Sequence, residues 1–109
     1  VNNRFGDEEK LLAELGNRTP AAFERFYERY VPLVFQIALR MVGDRMEAED
    51  LCQEIFLEAY RTVHQYDPER GSVEAWLAVK TRARCLDRLR RKKTELFGGF
   101  DQLERQPGP

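Results

Sequence analysis

Residues 44–64 read DRMEAEDLCQEIFLEAYRTVH, and this stretch decides the fold class. Asp44 followed by Glu47 three positions on has the form of a capping box with an acidic cap, in which the Glu47 carboxylate can reach back to the cap N–H. At about 100° per residue, Ala48, Leu51, Cys52, Ile55 and Ala59 fall on one side of a helix running to about His64, a core face. Glu47, Asp50, Gln53, Glu54, Leu57 and Arg61 fall on the other. Leu57 interrupts that carboxylate side. It reads either as an ordinary exposed leucine or as part of a contact surface for a partner helix.

The same periodicity extends upstream. Gly43 supplies a stop for the preceding helix, whose start is marked by Thr19-Pro20, a capping residue followed by proline at the first helical position. Phe23, Phe26, Tyr27, Tyr30, Val31, Val34, Ile37, Ala38 and Met41 recur at three and four, which predicts a broad buried face. Pro32 predicts a kink between Arg29 and Pro32, with the helix resuming to Val42. Further upstream, Leu11, Leu12 and Leu15 form a narrow apolar stripe on a short helix capped by Asp7 and ended by Gly16.

Downstream, Tyr66-Asp67-Pro68-Glu69-Arg70-Gly71 is a turn-rich loop, and Ser72 caps a fourth helix from Val73 to about Lys93. Its predicted apolar side collects Ala75, Val79, Ala83 and Leu86, with Trp76 and Leu89 at the margins. Lys80, Arg84, Arg88 and Arg91 lie opposite, with Asp87 among them. Arg82 projects from the middle of that apolar side, where it would snorkel or pair with a carboxylate of another helix. Residues 96–109, with Gly98-Gly99 and a final Pro-Gly-Pro, have the composition of a helix stop and a linker. No alternating strand pattern or internal repeat occurs. The expected fold is all-α: a compact bundle of three main helices plus a short N-terminal helix, one domain over residues 7–95.

The chain has 109 residues, 42% hydrophobic and 34% charged, enough for one core beneath a densely charged surface. A formal net charge of -1 argues against a nucleic-acid partner only if charge is averaged over the whole chain. Between Asp44 and Glu58 the acids Asp44, Glu47, Glu49, Asp50, Glu54 and Glu58 face the single base Arg45. Between Lys80 and Lys93 the bases Lys80, Arg82, Arg84, Arg88, Arg90, Arg91, Lys92 and Lys93 face only Asp87. Such segregation predicts either two different partners or a charged contact within the molecule. Cys52 and Cys85 lack the spacing of a zinc site and read as small buried hydrophobes. With His64 the only histidine and no clustered carboxylates in a pocket pattern, the sequence assigns no catalytic residue, cofactor or metal. No apolar run approaches the roughly 18 residues of a spanning helix, and the expected location is the cytoplasm.

A basic helix stripe is by itself most often a solvated face. Here Tyr66 in the preceding loop, Trp76 in the first turns, and Tyr60 and His64 one element earlier put flat rings beside cations, the combination that tracks a phosphate backbone while holding unstacked bases. Core packing is the alternative for Trp76 and Tyr60 at their helical phases. Tyr66, in a loop, has less claim to it. The loop and the capped helix start also offer free N–H groups and polar tips for an extruded base or a phosphate.

Taken in order, Ala22-Phe23, Tyr27, Arg29-Tyr30, Pro32-Leu33-Val34, Gly43-Asp44, Ala48-Glu49-Asp50-Leu51, Gln53-Glu54 and Phe56-Leu57 are followed by Tyr66 to Ser72, Trp76-Leu77 and Leu86-Asp87-Arg88-Leu89-Arg90-Arg91. This order and spacing resembles region 2, the N-terminal domain of bacterial extracytoplasmic-function (ECF) sigma factors, over residues 7–95. The resemblance implies that the helix face bearing Glu47, Asp50, Gln53 and Glu54 docks on the clamp-helix coiled coil of the largest RNA polymerase subunit, with Leu57 and Arg61 added to the contact. It implies that Tyr66, Asp67, Arg70 and Ser72 belong to a loop capturing a flipped base of the promoter -10 element on the non-template strand. Trp76, Lys80, Arg84, Arg88 and Arg91 would hold the adjacent DNA. Melting is then binding energy placed on single-stranded DNA, with no bond made or broken by this domain.

The resemblance has a departure. Where the family usually reads Ile-Ala-Arg-Asn after the Trp-Leu pair, this chain has Lys80-Thr81-Arg82-Ala83, which puts the usual promoter preference in question. Residues 96–109 would lead towards a C-terminal helix-turn-helix, region 4, that reads the -35 element and is not in this chain. An anti-sigma factor is a further implied partner. The competing reading is a sigma-like mimic that occupies an anti-sigma factor without touching DNA, a reading the basic stripe disfavours.

Overall fold

The structure, a computed structural model, describes the backbone of residues 4–105 and the side chains of residues 9–97. Four α-helices carry the described residues: α1 (Arg4–Gly16), α2 (Pro20–Val42), α3 (Arg45–Thr62) and α4 (Val73–Arg105), with a single 3-10 turn, Val63–Gln65, after α3. The all-α bundle expected from periodicity is the fold. The central α2 packs on both α3 and α4, these two pack on each other, and α1 leans on α2 and the 3-10 turn.

α2 is delimited by the signals in its sequence. Thr19 Oγ1 accepts from the Ala22 N–H at 3.2 Å, Pro20 opens the helix, and Gly43, at φ 69°, donates its N–H to the Leu39 carbonyl at 2.9 Å. Its buried row is Ala22, Phe26, Tyr30, Val34 and Ala38, one residue in every four. Phe23, Tyr27, Val31 and Met41 are half-buried beside it. Pro32 does not end the helix: α2 runs on through it to Val42. Pro32 is exposed, as is Glu28, so the carbonyl left without an amide donor faces water.

α1 also differs from its expected form. It starts at Arg4 rather than after Asp7, and the left-handed residue that reverses the chain is Arg18, at φ 58°, instead of Gly16. The Asn17 and Arg18 amides close the helix end on the Glu14 and Leu15 carbonyls at 3.1 and 2.9 Å. Leu11 and Leu15 are buried as predicted.

In α3, Asp44 Oδ1 accepts from the Glu47 N–H at 3.0 Å, but the reciprocal half of the capping box is not made. The Glu47 carboxylate is engaged by Lys92 of α4 instead. Ala48, Leu51, Cys52, Ile55 and Ala59 are all buried. So is Phe56, which periodicity left out and which stacks edge-on to Phe26 and Tyr27 at 5.9 and 4.9 Å.

The phase of α4 corrects the expectation. Its buried row is Val73, Leu77, Thr81 and Cys85, whereas Ala75 and Ala83 are exposed and Val79 is 69% exposed. Thr81 fits the core because its hydroxyl donates to the Leu77 carbonyl at 2.7 Å, leaving a methyl to pack. Arg82 lies on the exposed side and needs neither snorkelling nor a buried partner. Nor does α4 stop near Lys93: it runs to Arg105 through Gly98 and Gly99. Each glycine costs about 1 kcal/mol relative to alanine, which weakens an established helix without ending it. Every residue from Arg90 to Phe97 is exposed, so this part of α4 extends clear of the core.

Candidate nucleic-acid interface

The loop between the 3-10 turn and α4 is built by its own polar groups. Asp67 Oδ1 accepts from the Glu69 N–H at 2.9 Å, and the Arg70 N–H closes on the Asp67 carbonyl at 3.0 Å. Asp67 and Arg70 side chains face each other at 3.9 Å. Gly71 adopts φ 153°, a conformation that favours glycine. Ser72 Oγ accepts from the Ala75 N–H at 3.1 Å and so caps α4 as the sequence predicts. Among the residues assigned to DNA, Asp67 and Ser72 thus have structural tasks of their own.

Tyr66 fastens this loop to α4. Its hydroxyl donates to the Gly71 carbonyl at 2.7 Å, and its ring lies 5.4 Å from that of Trp76 at an interplanar angle of 56°. Lys80 Nζ stands 4.8 Å from the Trp76 ring centroid. Tyr66, Trp76 and Lys80 therefore form one ring-ring-cation row. Behind the loop is an open cavity of about 790 Å3, walled by Val63, His64, Tyr66 and Pro68 to Ser72 and, across from them, by Glu9, Leu12, Ala13, Gly16 and Arg18. The contribution of α1 and its exit turn was not legible in the sequence, because nothing local links those residues to the loop. Tyr60 takes the packing role, edge-on to Phe23 at 4.9 Å with the Arg18 guanidinium 6.0 Å from its ring.

The acidic and basic faces meet. Arg88 Nη2 lies 3.0 Å from Glu54 Oε1, with its Nη1 3.7 Å from Asp50 Oδ2. Arg84 reaches Glu58 at 3.3 Å and Glu54 at 3.7 Å, and Lys92 pairs with Glu47. Of the two readings of the charge segregation, an intramolecular contact is realised for these residues. Arg91 pairs within its own helix with Asp87 at 2.8 Å. The part played by Glu58, beyond its place in the acidic run, depends on Arg84, far away in sequence.

Other groups remain uncommitted. Gln53, Leu57 and Arg61 are exposed on α3, Leu57 by 55%; Gln53 and Leu57 line a shallow groove of about 400 Å3 with Phe23, Glu24, Tyr27 and Phe56. On α4, Arg82, Arg90 and Lys93 are exposed and make no ion pair among the described residues. Periodicity missed them by taking the wrong side of the helix as apolar.

Cys52 and Cys85 are free and buried, and burial pushes the Cys52 thiol up to about 11. Among the described residues no group of His, Cys, Asp and Glu could hold a metal ion, and no helix is long and apolar enough to cross a membrane.

Residues 26–95 match the model of Sigma-70 region 2, and the chain belongs to that family. It is 33% identical over 84 residues to the ECF RNA polymerase sigma factor SigK of Mycobacterium tuberculosis (strain ATCC 25618 / H37Rv), covering 77% of this chain and 45% of that protein. It is 34% identical over 87 residues to the SigK of Mycobacterium ulcerans (strain Agy99), covering 80% and 46%. The chain therefore spans less than half the length of these relatives. All of α1 and the Arg18 turn precede the stretch matched by the family model.

Proposed function

We propose that this chain is the region 2 domain of an ECF sigma factor, which binds core RNA polymerase and recognises and melts the promoter -10 element. The observation that carries the reading is the row Tyr66, Trp76, Lys80 at the edge of the loop, since neighbouring aromatic rings beside a cation suit an unstacked base and its phosphate. Exposed Arg82, Arg90 and Lys93 extend positive charge along the solvent side of α4. The exposed side of α3, with Gln53, Leu57 and Arg61 at its centre, is the docking surface for the largest-subunit clamp helices. An anti-sigma factor covering both faces and a cytoplasmic place of action follow from the same reading.

Fluorescence anisotropy tests it. Single-stranded -10-like non-template DNA is expected to bind at least about tenfold more tightly than a scrambled strand at fixed salt. Equal, weak binding to both overturns base capture. Leu57→Arg and Arg61→Glu are expected to abolish polymerase association with the helical CD signal unchanged. Polymerase binding that survives both moves the docking face elsewhere.

A further inference from the structure

Resting on that reading, we propose that the seam between α3 and α4 is a charge-exchange latch: a cationic polymerase helix docking on α3 takes over the carboxylates that hold Arg84 and Arg88, releasing these guanidiniums to the DNA backbone. Glu54 is the hub. Its Oε1 faces Arg88 Nη2 at 3.0 Å and its Oε2 faces Arg84 Nη1 at 3.7 Å, so one carboxylate holds both arginines. Asp50 and Glu58 supply the outer acceptors, at 3.7 and 3.3 Å.

The seam is partly wet. Asp50 is 67% exposed and Glu54 41%, so a partner reaches these two acids from α3, whereas Arg88 is only 22% exposed; Arg84, at 35%, and Glu58, at 31%, are about equally open. Ion pairs at such exposure are weak and exchange readily. A guanidinium keeps its charge at any working pH and carries five donors, so an arginine that loses its carboxylate seeks another anion. A phosphate matches its fork in the same bidentate geometry. In the free chain the two arginines are neutralised, and DNA affinity stays low until the acids are engaged elsewhere.

The experiment uses this chain and a mixed-sequence single-stranded oligonucleotide, with affinity measured across a salt series. Glu54→Gln with Glu58→Gln is expected to tighten binding about five- to tenfold and to steepen the log-log salt slope by about 0.7 per arginine freed. A charge-matched control, Glu49→Gln with Glu95→Gln, removes two carboxylates outside the seam and is expected to shift affinity less than twofold. Arg88→Gln is expected to lose several-fold more affinity in the released background than in the unmutated chain, cancelling the gain there. Asp50→Asn alone, at the most exposed acid, gives a smaller gain of the same sign and serves if the double substitution does not fold. An equal gain in the control, or an equal loss from Arg88→Gln in both backgrounds, overturns the latch. Absence of DNA binding in every variant overturns the promoter reading and the latch with it.

Discussion

Leu77 and Val79, two residues apart on α4, lie on opposite sides of the helix: Leu77 is fully buried and Val79 is 69% exposed. Leu77→Ala is expected to cost about 2–5 kcal/mol, since it empties a site between packed helices. Val79→Ala stays within about 0.5 kcal/mol. Urea denaturation of the two variants checks the phase of α4. Equal losses would place the core on the wrong face.

Tyr66 closes the loop by a hydrogen bond from its hydroxyl to the Gly71 carbonyl at 2.7 Å. Tyr66→Phe keeps the ring against Trp76 and loses about 1 kcal/mol. Gly71→Ala is opposed by φ 153° rather than by space, because a Cβ there would meet Ala75 Cβ at an ordinary 3.7 Å. It is expected to cost about 1–3 kcal/mol. Thermal melting reads both losses, and amide exchange should localise them to residues 66–72.

Across the α3–α4 seam, a double-mutant cycle on Glu54→Gln and Arg88→Gln is expected to give a coupling of about 0.5–1 kcal/mol, modest because both groups are partly solvated. The coupling should shrink towards zero in 1 M salt. A salt-independent coupling would mean that packing of the arginine stem, and not charge, joins the helices.

Burial raises the Cys52 thiol from 9.0 to about 11, with Cys85 and Glu49 adding to the effect. The folded state thus holds this proton more tightly than the unfolded chain does. The stability it contributes is complete below about pH 9 and is lost as pH rises towards 11, on the order of 2 kcal/mol. Cys52→Ala should show a shallower fall in urea midpoint over that interval than the parent chain. Identical pH profiles would remove Cys52 as the cause.

The core side of α3 was readable because its apolar residues are large or tightly spaced and the opposite side is charged. α4 defeated the same reading for a physical reason. Its buried row includes Thr81, whose polarity is cancelled by a bond to its own helix, and its ion-pairing row includes Arg84 and Arg88, whose charges are cancelled by α3. Meanwhile Ala75, Val79 and Ala83 are apolar and face solvent. Periodicity weighs each residue as if it stood alone. Phe56 was overlooked similarly, because its contacts are the rings of Phe26 and Tyr27 on another helix. The loop at Tyr66 was legible in its turn and cap residues, whereas the wall supplied by α1 depends on tertiary contact alone.

The row at Trp76 has an optical consequence. Trp76 is the chain's only tryptophan, flanked by the Tyr66 ring at 5.4 Å and the Lys80 ammonium at 4.8 Å. An event that draws Tyr66 or Lys80 away alters the emission of a single indole, with no label attached. Loop occupancy can then be followed in stopped flow by intrinsic fluorescence, one signal for one site.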